Sequence, residues 1–194
     1  MKRSLLLIPV ALLGALLTPG QASADDRSCT GLIRAISIDG SVTVPQGATC
    51  TLRGTRIDGN VFVKRGATLK VRGAAIGGNI QANDHRRVGV TPRKVGDRIV
   101  RTRVEGDIQL EGGARGRVGR TVIGGNLQIE QSRLLQITRR NVIEGDLQAF
   151  SNNGGFRIFG NRIDGNLQCK ANVPRPIGDN NRVAGNKEDQ CRGL

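Results

Sequence analysis

The sequence contains no tryptophan and no tyrosine, and its 194 residues include only four phenylalanines and one histidine. Aromatic side chains dominate most globular cores, so we expect a thin and mainly aliphatic core. No Cys-x-x-Cys pair occurs and no cysteine lies near His85 in the sequence, which argues against a structural zinc site. A nucleophile elbow, a phosphate-binding loop and a metalloprotease motif are also missing. We therefore expect no catalytic residue, no metal and no cofactor.

The N-terminus has the pattern of a secretory signal peptide. Lys2 and Arg3 precede an apolar run at residues 5–17, and the small residues Ala-Ser-Ala follow at 22–24. The run is too short for a transmembrane span, and no second apolar stretch follows it. We expect export to the periplasm or the exterior, cleavage after Ala24, and a mature chain without a transmembrane segment.

The chain is strongly basic, with 30 Lys and Arg residues against 16 Asp and Glu and a net charge of +14. Without Lys2 and Arg3 the balance is 28 against 16, which leaves +12 for residues 25–194. Such a charge favours anionic partners: acidic polysaccharide, lipopolysaccharide or another polyanion, with nucleic acid still open. The same charge would also keep a protein with no such partner in solution.

An internal repeat occupies most of the chain. Its marker is a β-branched residue, any residue, glycine, Asn or Asp in most units, and then usually an aliphatic residue. The marker begins at Ile38, Ile57, Ile76, Val104, Ile123, Ile143, Ile163 and Val183, at intervals of 19, 19, 28, 19, 20, 20 and 20 residues. Alternation such as Leu127-Gln128-Ile129 indicates short strands. We expect the marker glycines to form corners that need a positive φ.

Units of this length cannot bury an apolar face alone, so copies must stack on one another. The sequence therefore predicts an all-β protein with one domain at 25–194, a single-stranded parallel β-helix (β-solenoid) of about eight coils of 19–20 residues. The marker residues predict inner aliphatic ladders, an outward glutamine ladder from Gln81 to Gln168, and a ladder of Asn141, Asn161 and Asn181 at a bend.

Two features interrupt the repeat. The 28-residue interval predicts about nine extra residues, in a protruding loop at 82–99. In the last unit, Lys187 and Asp189 take inward positions that Leu167 and Cys169 hold in the unit before. Polar residues there should prevent another coil from stacking, so we expect a closed C-terminal end.

The four cysteines lie near the two ends of the repeat. Cys29 and Cys50 are 21 residues apart, and Cys169 and Cys191 are 22 residues apart. Both separations are close to one coil, which would bring each pair near the Cα distance that a disulfide requires. We predict the bridges Cys29–Cys50 and Cys169–Cys191, although each is offset by about two residues from perfect register.

The units Ile-Gly-Gly-Asn-Leu-Gln (123–128) and Ile-Asp-Gly-Asn-Leu-Gln-Cys-Lys (163–170), with the ending at 185–191, resemble a group of exported bacterial β-solenoid proteins. The fold resembles right-handed parallel β-helices, which implies a right-handed coil. The resemblance covers residues 29–191 and implies no activity. A weaker similarity of the marker to bactofilins implies an alternative, a self-assembling filament protein. The export signal and the polar last coil favour a monomer or small closed oligomer instead.

Positive charge is concentrated in the predicted loop and in the coil that follows. The candidate polyanion-binding residues are Arg86, Arg87, Arg93, Lys94, Arg98, Arg115 and Arg117. Stacking would place the 115–120 segment one coil beyond the loop, so that both face the same side and bind a polyanion in a salt-dependent way. The competing interpretation is a solvated loop whose arginines only keep sheet edges soluble.

Carboxylates on the marker turns suggest two further classes of function. Glu105 with Asp107, and Glu144 with Asp146 or Asp164, could flank a glycosidic bond in a polysaccharide-active β-helix enzyme or bind calcium. They occupy columns where glycine or Asn stands in other units, so a turn role also explains them. We favour a non-enzymatic, secreted structural or binding protein that presents a basic surface to an anionic cell-envelope or extracellular polymer.

Overall fold

The computed structural model describes residues 25–194, and the predicted signal peptide at 1–24 lies outside them. The described chain winds through about eight turns, and each turn adds one short strand to each of three parallel sheets, visited in the order A, B, C. One antiparallel hairpin, β12–β13, stands apart from these sheets. The described residues contain no helix, and so none that could cross a membrane. The predicted all-β parallel solenoid is confirmed.

The strands have the following bounds. Sheet A contains β1 (Arg27–Ser28), β4 (Val42–Val44), β7 (Val61–Val63), β10 (Ile80–Asn83), β15 (Ile108–Glu111), β18 (Leu127–Glu130), β21 (Leu147–Phe150), β24 (Leu167–Lys170) and β27 (Lys187–Asp189). Sheet B contains β2 (Leu32–Ile33), β5 (Thr49–Arg53), β8 (Thr68–Arg72), β11 (Arg87–Thr91), β16 (Arg115–Gly119), β19 (Gln136–Arg139), β22 (Phe156–Phe159) and β25 (Ile177–Asp179). Sheet C contains β3 (Ser37–Ile38), β6 (Arg56–Ile57), β9 (Ala75–Ile76), β14 (Arg103–Val104), β17 (Val122–Ile123), β20 (Val142–Ile143), β23 (Arg162–Ile163) and β26 (Arg182–Val183). The hairpin consists of β12 (Arg93–Val95) and β13 (Arg98–Val100).

The core consists of aliphatic columns that run along the stack. In sheet A, Val61, Ile80, Ile108, Leu127 and Leu147 follow one another in register, and all five are fully buried. The marker residues form the matching column in sheet C. Because each coil contributes only a few inward positions, small aliphatic side chains fill the interior and the inner ladders of the sequence are confirmed.

Glycine is required at the marker positions for a different reason from the one predicted. Within residues 25–194, none of them is among the glycines with positive φ, so the prediction of left-handed corners is wrong at these positions. A Cβ at Gly165 would lie 2.8 Å from the carbonyl oxygen of Gly145 in the preceding coil. Glycine is needed because successive coils approach closely there. Left-handed residues occur instead at the other two corners, for example Gln131 and Arg140.

Side-chain ladders satisfy the backbone at the corners. After the marker glycines from Gly59 to Gly165, an Asn or Asp side chain accepts the N–H of its equivalent in the next coil, as from Asn126 to Asp107 at 2.6 Å and from Asp146 to Asn126 at 2.8 Å. Ser41, which follows Gly40, accepts in the same way through its hydroxyl. The predicted Asn141 to Asn181 ladder is present and buried at the corner between sheets B and C. A second buried ladder, Asn152 to Asn172, lies between sheets A and B. On the outer side of sheet A, glutamine amides bond from Gln128 to Gln168.

The protruding segment is narrower than the loop predicted at 82–99. Strands β10 and β11 pair with the coils on both sides, so residues 80–91 belong to the solenoid. Val88 and Val90 are buried opposite Leu69 and Val71, because the chain completes the inner column of sheet B before it departs. Only the β12–β13 hairpin and its connections leave the coil.

Both predicted disulfides are present, Cys29–Cys50 with a Cα–Cα distance of 5.5 Å and Cys169–Cys191 with 5.3 Å. Each joins a terminal coil to its neighbour. After β27 the chain turns across the end of the stack, where Cys191 is buried and Leu194 packs against the core. The polar β27 and this segment close the C-terminal end of the solenoid.

Candidate functional site

Charge is distributed unequally among the three sheets. The strands of sheet B carry one acidic residue, Asp179 in the last coil. They carry eight basic residues, namely Arg53, Lys70, Arg72, Arg87, Arg115, Arg117, Arg139 and Arg157. Seven of the eight are exposed and Lys70 is half-buried. We call the outer side of sheet B, with these eight cations, the basic face.

The strand register aligns these cations along the stack. Arg87 lies directly opposite Arg115 in the next coil. Two residues along the same strands, Gly89 lies between Lys70 on one side and Arg117 on the other. Equivalent residues in stacked strands are about 4.8 Å apart, so like charges are held near one another. Neighbouring cations repel, and a bound anion would relieve that repulsion.

Gly89 forms the floor of a groove at the centre of the basic face. The groove has a volume of about 360 Å³ and is lined by Lys70, Arg72, Arg87, Arg115 and Arg117 with no acidic residue. A Cβ built on Gly89 meets nothing within 4 Å, so the missing side chain leaves open space between the cationic neighbours. This space is wide enough for small anionic groups such as sulfate, phosphate or carboxylate.

Two further cavities adjoin the groove, one toward the start of the sheet B strands and one toward their end. One, of about 420 Å³, shares Lys70, Arg87 and Arg115 with the central groove and adds Arg86. The other, of about 210 Å³, shares Thr91 and Arg117 and extends to the cations Arg120 and Arg139. The three form one continuous depression without an acidic lining residue, which suits an extended ligand better than a compact one.

The cations of this depression have no carboxylate partners. The four ion pairs among residues 25–194 involve Arg56, Arg65, Arg133 and Arg162, all outside the basic face. Arg86 is oriented by neutral partners: its Nε donates to Thr68 Oγ1 at 3.1 Å and its Nη2 donates to Thr49 Oγ1 at 3.3 Å. The positive charge of the face is therefore available to a ligand.

The structure divides the predicted site into two groups. Arg87, Arg115 and Arg117 lie together in the groove, with Arg86 in the adjoining cavity. The other predicted residues, Arg93, Lys94 and Arg98, belong to the hairpin.

Five cations of the basic face were not among the residues predicted from the sequence, namely Arg53, Lys70, Arg72, Arg139 and Arg157. Lys70 and Arg72 precede the predicted loop by one coil, and their spacing of two residues places them on the same side of β8. Aligning whole units, instead of inspecting the insertion alone, would have revealed them.

His85 does not belong to the charged surface. Its ring is fully buried at the corner between sheets A and B, against Gly113. Burial lowers the pKa of His85 below its ordinary value of 6.5. Among residues 25–194, neither ring nitrogen has a hydrogen-bond partner. A neutral imidazole therefore acts here as a space-filling group.

Three of the five candidate carboxylates on the marker turns have defined partners. Asp107 and Asp146 accept backbone N–H groups of the next coil at 2.6 Å, and Asp164 pairs with Arg162. On sheet A, burial and then the neighbouring Glu111 raise the pKa of Glu130. Among the described residues, no three His, Cys, Asp or Glu side chains are grouped in a way that could hold a metal ion.

Known proteins give no indication of the function of this chain, so inference about its function rests on the fold and on the basic face. No protein-family model matches the chain. No curated protein and no solved structure matches it either.

Proposed function

We propose that this is a secreted or periplasmic, non-enzymatic protein that binds an anionic cell-envelope or extracellular polymer through the basic face. The observation that carries the proposal is the central groove, in which five cations surround the Gly89 floor and no acidic residue takes part. Two of the marker carboxylates considered for catalysis, Asp107 and Asp146, accept backbone N–H groups of the next coil.

A charge-based mode of binding follows from what the basic face contains. Its cations are separated on a rigid sheet, so each can neutralise one anionic group of a polymer and release that group's counterions. The outer side of sheet B carries one aromatic side chain among the described residues, Phe159, which is 39% exposed. Stacking on bases or sugars contributes little under these conditions. Binding should therefore be steeply salt-dependent and tolerant of polymer composition.

The two disulfides, which are compatible with an oxidising compartment, support the same proposal. Disulfides persist in the periplasm and outside the cell, and both bridges join coils that lie at the ends of the solenoid. The signal peptide, the right-handed coil and the kinship with exported bacterial solenoid proteins belong to this proposal as expectations from the sequence.

The test compares two variants that lose the same charge from different faces. One changes Lys70, Arg87, Arg115 and Arg117 together to Ser. The control changes four exposed arginines of sheet C to Ser: Arg56, Arg103, Arg162 and Arg182. Binding to heparin and to lipopolysaccharide is measured at low salt, and circular dichroism checks the fold.

We expect the sheet B variant to lose roughly 10- to 100-fold in affinity, since each exposed ion pair contributes about 0.2–1 kcal/mol. The sheet C variant should stay near the parent. Equal losses in both variants would show that net charge alone governs binding. Binding of neither polymer by the parent would refute the proposed function.

A further inference from the structure

We infer that the ligand of the basic face is a linear acidic polysaccharide that lies along the solenoid axis, with at least one cation of each of seven successive coils beside it. This inference rests on the proposed function and specifies the ligand class and its direction.

Each coil from the first to the seventh contributes at least one outward cation, and these cations occupy three columns across the strands. Arg34 directly follows β2 in the first coil, and the register places it beside Arg53 and then Arg72 in the next two coils. Every later coil up to the seventh also contributes, through Arg87, Arg115 with Arg117, Arg139 and Arg157. The eighth coil ends the series, because Asp179 stands in β25. A polymer along the axis passes at least one cation on each of these coils, at differing positions across the strands.

The dimensions of the face favour the axial direction. Seven coils span six intervals of about 4.8 Å, which gives roughly 29 Å along the stack. Sheet B strands have at most five residues, so the face is only about 13 Å wide across the strands. A chain lying across the strands, through the depression described above, would contact cations of the four central coils, whereas an axial chain contacts those of all seven.

The hairpin reinforces the N-terminal half of this path. Arg93 lies against Gly73 and extends its guanidinium over Gly54, at the corner between sheets B and C. A cavity of about 410 Å³ between the hairpin and the sheet is lined by the cations Arg34, Arg53, Arg93 and Lys94, without an acidic residue. The hairpin therefore forms a cationic wall beside the axial row of cations. The insertion adds no inward column to the core, and this wall gives it a role in ligand binding.

The density of charge along the axis favours one class of polymer. At least one cation stands on each coil, and the coils are about 4.8 Å apart along the axis, which suits a chain with closely spaced acidic groups, as in an acidic polysaccharide. Single-stranded nucleic acid usually binds through aromatic platforms as well as charge, and the basic face has only Phe159 to offer. A membrane surface would contact the whole face at once and would show no dependence on ligand length.

The experiment uses size-defined heparin fragments as probes with the intact protein at low salt. Affinity is measured for fragments shorter than about 13 Å and for fragments of about 30 Å or more. Two end variants, Arg53→Ser and Arg157→Ser, are compared with the matched sheet C variants Arg103→Ser and Arg182→Ser.

For an axial ligand we expect affinity to rise steeply until the fragment length reaches about 29 Å. Each end variant should weaken the long fragment about two- to fivefold, and should leave the shortest fragment unaffected. The sheet C variants should bind both the long and the shortest fragment with the affinity of the parent. A plateau at about 13 Å, with no effect of either end variant, would overturn the axial path while leaving the proposed function intact.

Two further probes test the ligand class. Single-stranded DNA and vesicles containing phosphatidylglycerol are presented at matched charge concentration. A polysaccharide ligand is supported if the DNA and the vesicles both bind more weakly than long heparin fragments do. If either binds more tightly than heparin, and through the same basic-face residues, the polysaccharide assignment is wrong. If no probe binds the parent protein, the proposed function itself fails.

Discussion

The buried asparagine ladder should contribute far more stability than the exposed glutamine ladder, although both are built from the same amide–amide hydrogen bond. Asn161 Oδ1 accepts the backbone N–H of Asn141 at 3.1 Å and its side-chain amide at 3.0 Å. The Asn161 amide donates to Asn181 Oδ1 at 3.0 Å and to the Thr138 carbonyl at 3.3 Å. An Asn161→Ala substitution removes all four bonds and leaves the buried N–H of Asn141 without this acceptor.

The expected loss follows from burial. An unsatisfied buried N–H costs about 1–3 kcal/mol, and each of the other three bonds contributes about 0.5–1.5 kcal/mol, so we expect a loss of about 3–7 kcal/mol. Gln148→Ala is the matched control, because it removes two amide–amide bonds of 2.9 Å on the half-exposed outer side of sheet A. Water can replace those partners, and the loss should be about 0–1 kcal/mol.

Equilibrium unfolding in urea, followed by circular dichroism, measures both losses. The m-values of the two variants should match that of the parent, so that midpoints can be compared. Similar losses for Asn161→Ala and Gln148→Ala would refute the argument that burial makes the inner ladder a determinant of stability.

Three further predictions follow from the interior and the ends of the solenoid. Stability should fall as the pH drops below 6.5, because His85 binds a proton in the unfolded chain more readily than in the folded protein, where burial lowers its pKa. A His85→Gln variant should therefore show a flatter dependence of stability on pH between about pH 7.5 and 5.5, and an unchanged slope would contradict this. Gly165→Ala should lower the free energy of unfolding by about 1–3 kcal/mol through the clash with the preceding coil, whereas Gly89→Ala should be near neutral, and equal thermal midpoints would be the contrary result. Removal of the Cys169–Cys191 bridge should speed hydrogen exchange in the last coil and not in the central coils, because solenoid coils stabilise mainly their neighbours, and a uniform increase would argue against local coupling.

Much of the fold could be predicted because the repeat translates directly into register. Once Ile123 and Ile143 are recognised as equivalent, the pairing of every strand between them follows, and so do the inner columns. The cysteine separations gave both disulfides for the same reason. The right-handed coil, the signal peptide and the monomeric state stay predictions.

The cause of the marker glycines could not be predicted from one unit alone. A glycine in a turn suggests a positive φ, but at Gly165 the requirement comes from the carbonyl oxygen of Gly145 in the preceding coil. Only the stacking distance between coils reveals that constraint. Similarly, residues 82–91 were assigned to the insertion because the 28-residue interval shows how many residues are extra and not where they leave the coil, whereas Val88 and Val90 continue the core.

The candidate site was only half visible in the sequence. The density of arginine around the insertion indicated Arg87, Arg115 and Arg117, which share the groove. Lys70 was overlooked because it lies in a regular coil before the insertion, and it reaches the groove only through the register of β8 with β11. Charge clustering across coils is a property of the stack, and inspection of one segment cannot show it.

The salt dependence of heparin binding tests the role of the basic face most directly. The logarithm of the binding constant is measured against the logarithm of salt concentration for the parent, the sheet B quadruple variant and the sheet C quadruple variant. Each lost contact with an anionic group should reduce the slope by about one. We predict a slope about three to four units shallower for the sheet B variant and an unchanged slope for the sheet C variant. Parallel lines for all three proteins would contradict the assignment of the basic face as the binding surface.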